Sequence, residues 1–137
     1  MVMNRLHYWL HAKTQYDIHS PFVFEMYRDV LFARIDDATR RRHGIPRGDR
    51  FREVVYKCCD HYRLTVSDRQ AGGIAQLTSP DTPLAIQVID RPHATPAAEQ
   101  EWQRLKSTPG YPVSIDLYDV SLLIHNPHLH PQAFLLR

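Results

Sequence analysis

The sequence predicts a small α/β domain: a partly parallel sheet of three to five strands, an antiparallel hairpin near the C-terminus, and helices leading in. Three observations carry this. Leu84–Ile89 is an almost wholly apolar run of strand length, as suits a strand buried on both faces. Thr95–Pro96 then opens a helical segment with Ala98, Trp102 and Leu105 along one face. Val113, Ile115 and Leu117 alternate with Ser114 and Asp116, the pattern of a half-buried strand.

The other elements follow in order. Val2, Leu6, Trp9 and Leu10 recur at helical spacing and predict a short first helix. Ser20–Pro21 is a strong helix start, because Ser caps free N–H groups and Pro at the first position loses none. The helix predicted over 21–35 carries Phe22, Val23, Met26, Tyr27, Val30 and Leu31 as a wide apolar stripe that needs clamping on more than one side. Residues 36–48 are polar and basic and read as a solvated loop. A further helix over 49–62 has Asp49 as its cap and Phe51, Val54, Val55, Cys58 and Tyr62 on one face. Leu64–Val66 reads as a short strand, and Ile74–Leu77 as a short strand or a helical turn. Val120–Ile124 reads as a continuation of the preceding strand or a second one after a bend. Ala133–Leu136 ends the chain as a last short strand. The expected organisation is one domain over 1–137, with a helical leader over 1–35 and a reduced α/β core over 49–137.

The totals narrow the function. A net charge of +2 does not argue for nucleic acid. No apolar run approaches the roughly 20 residues that span a bilayer, so no membrane partner and a cytoplasmic location are expected. The adjacent Cys58–Cys59 read as free thiols, with Cys58 packing as a small hydrophobe. They do not form the Cys-x-x-Cys of a redox site.

Two stretches carry a family resemblance. Tyr16–Phe24, with His19-Ser20-Pro21-Phe22-Val23-Phe24, resembles the leader of a class I S-adenosylmethionine-dependent methyltransferase-like group found in Bacteroidota. Ile89-Asp90-Arg91-Pro92-His93, Glu101–Leu105, Val113–Asp119 and Gln132–Arg137 resemble, in order, that group's ending. The resemblance implies a truncated Rossmann-like fold. The middle departs from the pattern. Such a methyltransferase closes its first strand with an acidic residue and a glycine-rich turn, so that backbone approaches the cofactor. Here that position reads Ser67-Asp68-Arg69, with Gly72 and Gly73 beyond it. Each βαβ unit takes about 30 residues, and Phe51–Arg137 is too short for the full alternating sheet. Strands two to four of the family, and the adenosine half of the site, are expected to be missing.

The leading expectation is therefore a methyltransferase-like pseudoenzyme with no cofactor. Its role would be interaction, as a homodimer or with a protein partner, through the N-terminal helix or an exposed sheet edge. The alternative is a small-molecule methyltransferase, with S-adenosylmethionine held by Ser67, Asp68 and Gly72, and with Asp90 and His93 as catalytic candidates. A second alternative is a nucleic-acid binder through Arg40, Arg41 and Arg42. A solvated loop explains that run as well, since no aromatics interleave it. Asp90 before Arg91-Pro92 also reads as a turn former. His125, His128 and His130 read as a polar loop rather than a metal site, because cysteine help is far away in sequence. Asp17 and His19 form an acid–base pair only if a cleft collects them.

Overall fold

A computed structural model describes Arg5, Leu6, Tyr8 and residues 20–70, 73–129 and 131–136, with only the backbone described over 67–70. Helix α1 (Pro21–Met26) starts as expected, with Ser20 accepting from the Val23 N–H. It does not continue as α-helix to residue 35. A π-helical turn, Tyr27–Leu31, follows, and the Phe32 N–H donates to the Tyr27 carbonyl at 3.1 Å. The wider turn ends the helix three residues early.

Helix α2 (Asp37–His43) stands where a loop was expected. It buries no residue, so hydrophobic periodicity could not reveal it. It forms because Asp36 caps it and Gly44 closes it in the left-handed conformation. Ion pairs tie it to the next helix: Arg40 to Glu53 at 2.9 Å and Arg42 to Asp60 at 2.6 Å. Helix α3 (Arg50–Tyr62) has the expected Asp49 cap and buries Val54, Val55, Cys58 and Cys59. Burial pushes the Cys58 thiol up to about 12 and Cys59 to about 11, so both are inert packing groups.

The sheet corrects the predicted strand count and direction. It has six strands: β1 (Thr65–Gln70), β2 (Ile74–Thr78), β3 (Ala85–Asp90), β4 (Val113–Asp116), β5 (Val120–His125) and β6 (Gln132–Leu135). Their order is β1-β2-β3-β5-β4-β6. Every pairing is antiparallel except β4 with β6. The apolar run of β3 suggested parallel neighbours, yet both of its neighbours are antiparallel. Its burial comes from helices on both faces, which can cover an antiparallel strand as well as a parallel one. Helix α4 (Pro96–Lys106) joins β3 to β4. The expected C-terminal hairpin is β4–β5, with β5 inserted between β3 and β4.

The two sheet faces differ. One presents Ala75, Leu77, Ile86, Val88, Leu122 and Ile124 to α1, the π turn and α3, forming the main core. The other carries Ile89 and Leu123 under Trp102 and Leu105 of α4. The leader's stripe is clamped, as its width required: Val23, Met26, Tyr27, Val30 and Leu31 are all buried, and Phe32 alone of its large hydrophobics is exposed. The open apolar patch expected on the leader therefore shrinks to that ring, because six strands and α3 supply the surface to cover the rest.

The turn from β1 to β2 depends on Gly73. Its φ is +78°, and an added Cβ would lie 3.0 Å from the Asp90 Cβ. Gly73→Ala is expected to lower stability by on the order of 1–3 kcal/mol, read as a lower urea midpoint with an unchanged m-value.

Candidate functional site

The strand ends nearest Asp90 bring the most chemistry together. Asp90 closes β3, and its N–H donates to the Gly73 carbonyl at 2.9 Å. It lines a cleft of about 330 Å³ with Gly48, Asp49, Arg50, Phe51, Arg91 and Asp119. Burial raises the Asp90 pKa; Arg91 opposes this and Asp49 adds to it. Two non-glycine residues beside the cleft are left-handed, Arg91 at φ 46° and Tyr118 at φ 73°. Such conformations persist only where surrounding contacts hold them. The Arg91 N–H donates to the Asp119 carbonyl at 2.9 Å, and the Tyr118 N–H to Asp116 Oδ1 at 2.8 Å.

His93 does not face this cleft. Its side chain is 1% exposed. Nδ1 bonds Glu99 of α4, and Nε2 bonds Asp116 Oδ2 of β4 at 2.5 Å. The other Asp116 oxygen accepts from the Ser121 hydroxyl at 3.1 Å, and Glu99 accepts from Gln103 at 3.1 Å. The Tyr118 ring stacks on His93 at 5.3 Å and meets the Tyr8 ring edge-on at 5.2 Å. The Tyr8 hydroxyl donates to the carbonyls of Asp116, at 2.5 Å, and Leu136. Burial of Tyr8 and the nearby Asp116 charge raise its pKa, so it stays a neutral donor.

Both His93 nitrogens are thus engaged by carboxylates. The expected solvent-facing role is corrected: His93 is a pin between α4 and β4, because Pro92 and the left-handed Arg91 turn the chain inward after β3. Burial works against its charge. The hydrogen bond and charge of Asp116, then those of Glu99, outweigh burial and raise the pKa.

The other sequence candidates scatter. Ser67 and Asp68 lie in β1, where the pairing register shifts between Val66 and Asp68, and Asp68 pairs with Gln76. Gly72, Asp17, His19 and His130 lie outside the described residues. His125 meets the Gly110 carbonyl at the far end of β5, and the His128 N–H donates to Asn126 at 3.0 Å. Among the described residues no three His, Cys, Asp or Glu side chains are placed to hold a metal ion, and no helix is long and apolar enough to cross a membrane. No protein-family profile, curated protein or solved structure matches the chain.

Sequence reading missed Glu99, Asp116 and Ser121. One signal was legible: Glu99 is three residues before Trp102 and so shares its apolar face. Asp116 sits on the polar side of an alternating strand, which suggested solvent. That side is covered by α4.

Removing the pin leaves two buried carboxylates without their cation. His93→Ala is expected to cost on the order of 3–5 kcal/mol, measured by urea unfolding. The pH response has a definite sign. A folded-state pKa above the unfolded value near 6.5 contributes stability that is fully present below about pH 6.5 and lost as pH rises through the folded value. Wild type should therefore lose more stability between about pH 6 and pH 9 than His93→Ala does.

Proposed function

We propose that this chain is a reduced methyltransferase-like domain that acts by association rather than by methyl transfer. One observation carries the reading: residues 65–78, where the resemblance places the cofactor's first strand and glycine turn, form an antiparallel hairpin, β1–β2. A cofactor cradle of that kind needs a strand that turns into a helix, so that helix N–H groups face the ligand. A hairpin directs its N–H groups into ladder bonds instead. The segment β3–α4–β4–β5, with β5 antiparallel between two co-directional strands, supports descent from the ending that Ile89–Asp119 resembles.

The association surface is the free edge of β6, and its occupant is a second copy. β6 pairs with β4 on one side. The N–H groups of Gln132 and Leu136 point to β4, donating to Pro112 and Asp116 carbonyls at 3.0 and 2.9 Å. Alternation sends those of Ala133 and Leu135 outward, and Ala133 is exposed. The arginine run does not present one nucleic-acid surface. Arg40 and Arg42 are paired with Glu53 and Asp60.

Two measurements test the proposal. Titration calorimetry with S-adenosylmethionine and S-adenosylhomocysteine should show no heat of binding; micromolar affinity would favour the enzyme reading, with Asp90 at the substrate cleft. Sedimentation over a concentration series should show a reversible dimer. Ala133→Pro deletes an outward donor and spares the β4–β6 ladder, so it should weaken the dimer by about tenfold or more. A wild-type monomer at every concentration overturns the association.

A further inference from the structure

The largest concavity lies away from the Asp90 cleft, between the extended segment after the π turn and the faces of α2 and α3. Its volume is about 800 Å³, within the usual range for small-molecule sites. Arg34, Arg40, Arg47, Arg50 and Lys57 line it, against the carboxylates of Asp36, Asp37 and Glu53. Two of those carboxylates are engaged: Asp36 caps α2 and Glu53 pairs with Arg40. Lys57 is also engaged. Its ammonium donates to the carbonyls of Ala33 at 2.9 Å and Leu31 at 3.4 Å, which fixes the segment that forms the wall. The guanidiniums of Arg34, Arg47 and Arg50 have no carboxylate partner among the described residues. Arg50 lies 5.8 Å from the centre of the Phe32 ring, the exposed aromatic of the leader.

We propose that this concavity binds a small diphosphate or triphosphate. Cations held close to one another repel, and nothing in the fold requires Arg34 and Arg47 to share a wall with Arg50. A ligand with several negative charges resolves that repulsion, and guanidinium groups match phosphate oxygens in pairs. The Lys57 pKa is lowered, by burial first and then by the Arg50 charge, as expected where positive potential is concentrated. The shape favours a small ligand over a nucleic-acid strand. A strand needs a groove that tracks its backbone and several stacking rings. Here Arg42 turns away to Asp60, Arg41 lies outside the concavity, and Phe32 is the single ring at the rim.

The test is calorimetric titration of the full chain with sodium pyrophosphate and with tripolyphosphate, at low salt and again near physiological salt. Binding is expected to be tighter for tripolyphosphate and to weaken with salt. The double variant Arg34→Gln, Arg47→Gln should lose about tenfold or more in affinity, while Arg41→Gln should bind like wild type. Both altered residues are exposed, and unchanged thermal melting confirms that each variant is folded. No binding by the wild type overturns the proposal. So does an equal loss in Arg41→Gln, and so does a single-stranded RNA that binds more tightly than tripolyphosphate and responds to Arg41→Gln.

Discussion

A buried imidazole held between two carboxylates organises this fold. His93 leaves the sheet with the loop after β3, Glu99 comes from α4 and Asp116 from β4, so one three-member cluster fastens a loop, a helix and a strand. Burying any of these charges alone would be heavily unfavourable. Together they neutralise one another in part, and Ser121 and Gln103 take remaining lone pairs. The cluster also holds the left-handed Tyr118 through the second Asp116 oxygen, and Tyr118 in turn receives Tyr8 and Arg5. The N-terminal residue Tyr8 thus docks on the last strands through a network centred on His93.

The sheet's asymmetry follows from the same arrangement. One face is apolar throughout and accepts α1, the π turn and α3. The other face is covered by α4 and mixes Ile89 and Leu123 with Ser114, Asp116 and Ser121. A polar face under a single helix is tolerable only where its groups are paired, and the His93 cluster provides that pairing at the strand ends. It also separates structural from accessible chemistry. Asp90 remains at the surface cleft, while His93, three residues later, is removed from it.

Charge on the opposite side is arranged differently. Helix α2 has no apolar face and is held by caps and ion pairs to α3. Such pairs are individually weak when exposed, but Arg40–Glu53 is largely shielded, with each side chain 19% exposed. Pairing removes Arg40 and Arg42 from any shared basic patch. Arg34, Arg47 and Arg50 remain, and they become neighbours only because α2 folds back toward the extended segment before it.

Much of the local structure was legible in the residues themselves. Ser20–Pro21, Asp49 and Thr95 announce helix starts through capping chemistry that needs no tertiary partner, and the alternation of Val113–Leu117 identifies β4 as a strand. Local rules of this kind act over three or four residues. They could not choose the partners of β3, since an apolar strand reads the same beside parallel and antiparallel neighbours. Nor could they expose α2, whose stability lies in charges reaching across to α3, or show that the polar side of β4 is roofed by α4. By itself, then, the sequence determined where elements begin and which side chains are apolar. Only tertiary structure decided the six-stranded antiparallel order, the burial of His93 between Glu99 and Asp116, and the grouping of the free arginines. Those outcomes depend on contacts between residues distant along the chain, whose energies appear only when strands and helices are brought together.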